Sequence, residues 1–319
     1  MPKVSVIIPN YNHAPFLEKR LNSVINQNFL DFEVIILDDC STDNSREIIE
    51  RYRNHPKINT IIYNQKNSGG TFLQWKKGIE LAKGEWVWLA ESDDWCEISF
   101  LQELVDGLKT DSNCTLSYCQ SVIFDGNEIL YVSGTEHLRS NMNGAAFVND
   151  HMLRNNAVFN ASMCIFKKSA YINITNEFIK YSFIGDWIFW TEIALQGNVS
   201  ISGRTLNYFR NHSSDVTTNS LKTGIFYIEY FNLLKHFKNK NLITKNKAST
   251  LLKDMQKRFL LDYKVETNKD LIHQTFKAHL GFTYYNGLSR YHTWRMKRKI
   301  SCLWASFKTK IFYKNDEVS

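Results

Sequence analysis

The side chains best able to do chemistry cluster at Glu91-Ser92-Asp93-Asp94. They follow the apolar run Trp86-Val87-Trp88-Leu89-Ala90, which has the composition of a buried strand. Burying carboxylates without partners is costly. Three acids at the carboxyl end of such a strand therefore point to a crevice that holds a cation, and hard oxygen ligands suit Mg2+ or Mn2+. In open α/β sheets, ligands bind outside the carboxyl ends of the strands. The expectation is a metal-assisted phosphate site at Glu91, Asp93 and Asp94. The alternative is an acidic cap, Asp93 or Asp94, on a helix starting near Glu97.

The elements that position these acids come from the preceding 85 residues. Val4-Ser5-Val6-Ile7-Ile8 is a β-branched strand stopped by Pro9, with the polar loop Asn10-Tyr11-Asn12-His13 after it. Helical periodicity covers 16–25, with Phe16, Leu17, Leu21, Val24 and Ile25 on one face. Glu33-Val34-Ile35-Ile36-Leu37 is a second strand ending in Asp38-Asp39, and 43–45 can cap a helix over 46–53. A third strand spans 59–63. Gly69-Gly70 precedes a helix over 71–83, which Gly84 ends. This βαβαβαβ order with near-continuous apolar strands implies a mostly parallel sheet covered on both faces. Parallel strands place Asp38-Asp39 and Asp93-Asp94 on one edge. One acid pair can hold a metal and the other can accept hydrogen bonds from a ribose or base, which fits a nucleotide. No G-x-G-x-x-G and no GxxxxGK[ST] exists in the chain, so neither a nicotinamide dehydrogenase nor a P-loop NTPase is favoured.

The chain has 319 residues and a net charge of +7, with a composition typical of a globular protein. The opening Met1-Pro2-Lys3 leads directly into a strand with no secretory pattern. No apolar run approaches the roughly 18 to 20 residues of a spanning helix. The six cysteines form no CxxC and read as reduced thiols, not as a zinc site or disulfide framework.

Five stretches in order resemble motifs of the family 2 glycosyltransferases: Val4 to Asn12, Ser23-Val24-Ile25-Asn26-Gln27, Glu33 to Asp43, Gly78 to Glu85, and Glu91-Ser92-Asp93-Asp94. The resemblance covers roughly residues 3–215 and weakens after about 110. It implies an inverting enzyme of the GT-A fold, an α/β architecture with a mixed, mostly parallel sheet flanked by helices. It implies that Pro9, Asn10 and Tyr11 line the nucleotide pocket, that Asp39 meets the base, and that Asp93 and Asp94 carry ribose and metal contacts. Two positions depart from the family pattern. Glu91 stands where the family often has Asp, and Lys76-Lys77 replace an Arg-Asn pair.

In the second half, 98–108 is an amphipathic helix. Strands at 115–119 and 128–132 are joined by a turn near Asp125-Gly126-Asn127, and 162–166 is a further, central strand. Asp186 follows Gly185 directly before an aromatic-rich helix reaching about 195. The helix dipole would stabilise its anion there, whether as a cap or as a functional group. The resemblance implies that Asp186 is the catalytic base. Inversion needs one carboxylate to take the acceptor hydroxyl's proton opposite the leaving group. Trp187 is a candidate for stacking a sugar, and Trp190 reads as core. Leu206 to Ser213 is similar to the family's closing strand, placing Arg210 and His212 near the diphosphate, with His212 as a metal ligand. Residues 213–223 read as a lid.

From about 225 the pattern is helical. The division expected is a catalytic domain over 1–220 and a helical extension over 221–319. The acid-free stretch 290–314 interleaves Arg295, Lys297, Arg298, Lys299, Lys308 and Lys310 with Trp294, Leu303, Trp304 and Phe307. It fits an amphipathic helix on an anionic membrane surface. A helix docked on the catalytic domain is the alternative, and nucleic acid is not expected as a partner. The expected function is transfer of one sugar from a nucleotide sugar, a UDP-sugar in the first instance, to a glycan or lipid-linked glycan. The expected cofactor is Mn2+ or Mg2+, and the expected place is the cytoplasmic face of the cell membrane. A non-catalytic nucleotide-sugar-binding scaffold and a sugar nucleotidyltransferase are the rival readings. The second lacks the early Gly-rich basic loop it needs.

Overall fold

The apolar runs of the first 90 residues become parallel strands in the computed structural model, which describes residues 1–126, 128–211, 216–261, 265–293 and 296. β1 (Val4–Asn10), β2 (Phe32–Asp38), β3 (Ile58–Tyr63) and β4 (Trp86–Leu89) alternate with α1 (Ala14–Ile25), α2 (Ser45–Arg51) and α3 (Thr71–Leu81). Every residue of β1, β2 and β4 is buried, as strands covered on both faces require. They pair in the order β3-β2-β1-β4, all parallel, so their carboxyl ends share one edge.

Pro9 does not stop β1. It pairs with Leu37, and the strand continues to Asn10 opposite Asp38. The carbonyl of Ile7 accepts from Ala90 on the β4 side, and that of Asn10 accepts from Asp39 on the β2 side. By the twofold alternation of a strand, the missing N–H of Pro9 faces β4. β4 stops pairing at Leu89, opposite Ile7, so no ladder bond is lost. Nor does Gly84 cap α3. The helix ends at Leu81, Ala82 turns to an extended conformation, and a Cβ on Gly84 would stand 2.6 Å from the Ser5 nitrogen. The glycine lets the chain cross the start of β1 on its way into β4.

Beyond β4 the sheet is mixed. The first unit, Met1–Thr218, is completed by β5 (Trp95–Cys96), α4 (Phe100–Leu108), β6 (Cys114–Phe124), β7 (Ile129–Val132), β8 (Arg139–Asn143), α5 (Gly144–Phe147), β9 (Cys164–Lys167), α6 (Lys168–Tyr171), α7 (Gly185–Ala194) and β10 (Asn198–Arg210). The strand order is β3-β2-β1-β4-β9-β6-β10-β5, with β7 on β6 and β8 on β10. β9 runs antiparallel to both neighbours, and β6 and β10 run parallel to each other. The carboxyl ends of β6 and β10 therefore lie on the same edge as those of β1 and β2. The long β10 takes β8 along its first half and the two-residue β5 along its second. Helix α4 begins at Phe100 with Ser99 before it, so neither Asp93 nor Asp94 caps it.

The second unit starts at Asn219. Helix α8 (Val216–Thr223) crosses that boundary, so most of the expected lid is helical, while 212–215 lie outside the described residues. Then come α9 (Ile225–Asn239), α10 (Lys245–Leu261) and α11 (Lys269–Leu280), and 282–293 are helical too. Aromatic side chains join these helices: Tyr227 meets Phe259 edge-on, and Phe231 meets Phe276. The basic stretch expected at the membrane lies mostly outside the described residues.

Candidate active site

Two loops at the carboxyl edge are laced together by short polar side chains. Asn10 Nδ2 donates to Asp38 Oδ2 at 2.8 Å and to Ser41 Oγ at 3.2 Å. Asn12 donates its backbone N–H to Ser41 Oγ and accepts from the Thr42 N–H. Asp43 accepts from the backbone of both Ala14 and Ser45, joining the starts of α1 and α2. Asn12 and Cys40 hold left-handed backbone, with φ of 56° and 66°. Asn tolerates this region and Cys rarely enters it, so the lacing holds a strained turn in place. Pro9 and Asn10 are buried beneath this lattice, and Tyr11 stands exposed above it.

Asp39 is buried within a ring of neutral donors. Asn64 Nδ2 lies at 2.6 Å, Gln74 Nε2 at 2.9 Å, the Ser68 N–H at 2.9 Å and Ser68 Oγ at 2.7 Å. These bonds fold the loop between β3 and α3 onto the end of β2. The two lysines in place of the family's Arg-Asn pair part company here. Lys77 donates to Asn64 Oδ1 at 2.5 Å and joins the ring, while Lys76 pairs with Glu80 along the helix.

The acids after β4 are built differently. Asp94 is buried, and both of its oxygens are engaged. Oδ2 accepts from Ser162 Oγ at 2.6 Å and Asn160 Nδ2 at 2.9 Å, and Oδ1 accepts from the Arg210 N–H at 3.0 Å. The Arg20 guanidinium lies 3.7 Å from Oδ2 and is itself fully buried. Glu91 turns back under the sheet, where its Oε1 accepts from Trp75 Nε1 at 2.7 Å. Burial, and then the charge of Asp93, push the Glu91 carboxyl up to about 8. The same two causes push Asp94 upward against the pull of Arg20. By exposed surface Glu91 and Asp93 are both half-buried, and of the three acids only Asp94 is fully enclosed.

Arg210 sits beside this turn. Its Nε donates to the Asp93 carbonyl at 3.0 Å, and its guanidinium lies 4.4 Å from the Phe16 ring and 4.9 Å from the Trp95 ring. Lys19 covers Trp95 at 3.4 Å. His212 lies outside the described residues. Asp186 is half-buried in the first turn of α7, where Asn156 Nδ2 donates to its Oδ2 at 3.0 Å. A Cβ on Gly185 would meet Phe72, in the first turn of α3, at 2.6 Å. Helices α3 and α7 thus begin side by side at the carboxyl edge, and Asp186 shares that edge with the acids of β2 and β4. Trp187 is not placed to stack a sugar. It is buried, and its Nε1 donates to the Met152 carbonyl at 2.5 Å. Trp190 is fully buried, as its position on an apolar helix implies.

Among the described residues no three His, Cys, Asp or Glu side chains form a ready-made metal cage. Glu91 and Asp94 are committed to Trp75, Ser162 and Asn160, and half-buried Asp93 lies between them in the turn. Mg2+ and similar ions are commonly held by one or two carboxylates together with substrate phosphates. The donor set therefore fits a cation that arrives with a diphosphate. Sequence reasoning missed Arg20, Trp75, Asn160 and Ser162. Arg20 carried a signal, because it falls within the buried stripe Leu17, Leu21 and Val24 of α1.

Comparison with known proteins follows the same outline. Residues 5–175 match the sequence model described as glycosyl transferase family 2. The putative teichuronic acid biosynthesis glycosyltransferase TuaG of Bacillus subtilis is 39% identical over 93 residues, 29% of this chain and 36% of that protein. The poly(ribitol-phosphate) beta-N-acetylglucosaminyltransferase TarS of Staphylococcus aureus is 39% identical over 106 residues, 32% of this chain and 18% of TarS. The aligned stretches thus span well under half of these relatives. The crystal structure of TarS 1-349 with UDP superposes with a TM-score of 0.59 over 91% of each chain at 19% identity, which establishes a shared fold. The match to the family model runs from the first strand past the Asn160–Ser162 turn, over more than half of the protein, and the chain belongs to glycosyl transferase family 2.

Proposed function

We propose that the chain is an inverting glycosyltransferase that moves one sugar from a UDP-sugar to a hydroxyl of a cell-surface glycan or lipid-linked glycan. The observation that carries the reading is the pairing, on one sheet edge, of the acidic turn around Asp93 with Asp186 at the head of α7. The names of TuaG and TarS, and solved TarS structures with UDP and with UDP-GlcNAc, support the donor and acceptor classes.

The chemistry follows from these positions. Pro9, Asn10, Tyr11 and Asp39 frame the nucleoside, with the Asp39 ring holding the β3–α3 loop in shape around it. Asp93 would hold Mn2+ or Mg2+, which would supply charge neutralisation for the leaving group. Arg210 adds a cation on the same side, held by Phe16, Trp95 and the Asp93 carbonyl. Asp186 takes the proton from the attacking hydroxyl on the opposite face of the sugar, and Asn156 fixes its carboxylate. Work at the cytoplasmic face of the membrane, with 290–314 held by anionic lipid, completes the reading. Among the described residues no helix is long and apolar enough to cross a membrane.

Asp186→Asn tests the assignment. It preserves the shape of the side chain and should leave UDP binding within about twofold, while transfer falls by roughly a hundredfold to ten-thousandfold, the usual worth of a general base. Near-normal transfer by the variant would assign the base elsewhere.

A further inference from the structure

The acidic turn is held from behind by a guanidinium that a sequence reading places among apolar residues. Arg20 is fully buried in the stripe of α1 that faces the sheet. Its Nε donates to the Glu91 carbonyl at 2.7 Å, and its Nη2 donates to Ser162 Oγ at 2.8 Å. Ser162 Oγ also accepts from the Glu91 N–H at 3.0 Å and donates to Asp94 Oδ2 at 2.6 Å. A hydroxyl has one proton and two lone pairs. All three are used here, so its orientation is fixed. Glu91 is thereby pinned at both backbone ends, its carbonyl by Arg20 and its N–H by Ser162. Asp94 is pinned by the same hydroxyl and passes the constraint on to the Arg210 backbone. Asp93 lies between these two clamped residues.

We propose that Arg20 is a positioning residue of the donor site. It sets the conformation of the acidic turn, offsets its charge, and so presents Asp93 and Arg210 to the nucleotide diphosphate without touching it. The inference rests on the donor-site reading above and deepens it. A buried guanidinium that only fastened α1 to the sheet would need one acceptor. This one bonds the carbonyl of the first acid and the hydroxyl that holds the third. Among the described residues its Nη1 has no hydrogen-bond partner, and the guanidinium lies 5.6 Å from the Trp88 ring. Lysine cannot substitute fully, because an ammonium lacks the planar fork that reaches two acceptors in fixed directions.

The test compares full-length wild type with Arg20→Met, Arg20→Lys and Glu33→Gln by calorimetric titration of UDP with and without Mn2+, alongside thermal melts. Glu33 is the control. It is buried at the opposite end of β2, where its Oε1 accepts from Ser5 Oγ at 2.6 Å and from the Lys83 N–H at 2.8 Å. The expected result is a UDP dissociation constant with Mn2+ raised tenfold or more in Arg20→Met, partly restored in Arg20→Lys, and within twofold of wild type in Glu33→Gln. An unchanged constant in folded Arg20→Met overturns the inference. So does a loss in Glu33→Gln that matches it at equal melting temperature. Where Arg20→Met fails to fold, Ser162→Ala removes the bridge with a smaller disturbance. It should weaken UDP binding about threefold, and no change there overturns the inference. Wild type that binds no UDP under either condition overturns the proposed function as well, whereas wild-type binding with unaltered variants overturns this inference alone.

Discussion

At the end of β2, Asp38 and Asp39 are surrounded by neutral donors. At the end of β4, Glu91, Asp93 and Asp94 are surrounded by one another and by two arginines. The first pair serves as loop cement: Asn10, Ser41, Asn64, Ser68 and Gln74 all point hydrogens at it. The second group stores repulsion. Burial raises the proton affinity of Glu91 and Asp94, the charge of Asp93 raises it further, and Arg20 pulls the other way. A bound cation would relieve that repulsion, because an ion's own charge dominates the electrostatics around it. Asp94 and Glu91 have neutral donors too, so what sets the second group apart is the neighbouring negative charge and the buried Arg20 beside it.

The largest consequence lies in stability. Asp94→Ala strips the counter-charge from a buried guanidinium and should cost about 3–5 kcal/mol. Asp39→Ala leaves neutral donors, several within reach of water, and should cost about 1–3 kcal/mol. Urea unfolding of both variants checks the difference. Equal losses would mean that the two acid groups are held by the same kind of interaction.

A smaller effect depends on pH. Glu91 in the folded protein keeps its proton up to about pH 8, chiefly through burial and then through Asp93. The unfolded chain releases that proton near the ordinary glutamate value of roughly 4.3. Between these values the folded state binds more protons, so this contribution is complete below the unfolded value and is lost as pH rises toward 8. The slope is at most about 1.4 kcal/mol per pH unit. Glu91→Gln should remove it, so stability measured at pH 5 and pH 8 should differ less in the variant than in wild type. An identical pH dependence in the two proteins would place the Glu91 carboxylate in water.

The parallel half of the sheet was legible in the sequence because β1, β2 and β4 are short apolar runs separated by helical segments, and local pattern decides such elements. β5 and β8 were not. A two-residue strand has no period, and Arg139-Ser140-Asn141-Met142-Asn143 has a polar composition that pairing with β10 overrides. The position of the acidic turn was legible, but the division of labour within it was not. Strand alternation lapses after Leu89, and the residues that turn Asp94 inward, Asn160 and Ser162, lie 66 and 68 positions away. The stacking role considered for Trp187 failed because the Met152 carbonyl, another distant group, captures the indole N–H. Arg20 was the one long-range feature with a local trace, a charge at a stripe position that α1 buries.

Proposed as a cation-dependent donor site, the acids after β4 can be tested through Asp93. The most direct measurement is hydrolysis of a panel of nucleotide sugars across a Mn2+ series by wild type and Asp93→Asn. The expected result is slow hydrolysis of one UDP-sugar that requires the cation and falls roughly a hundredfold or more in the variant. Hydrolysis that survives chelation of the metal, or that Asp93→Asn carries out as well as wild type, would contradict it.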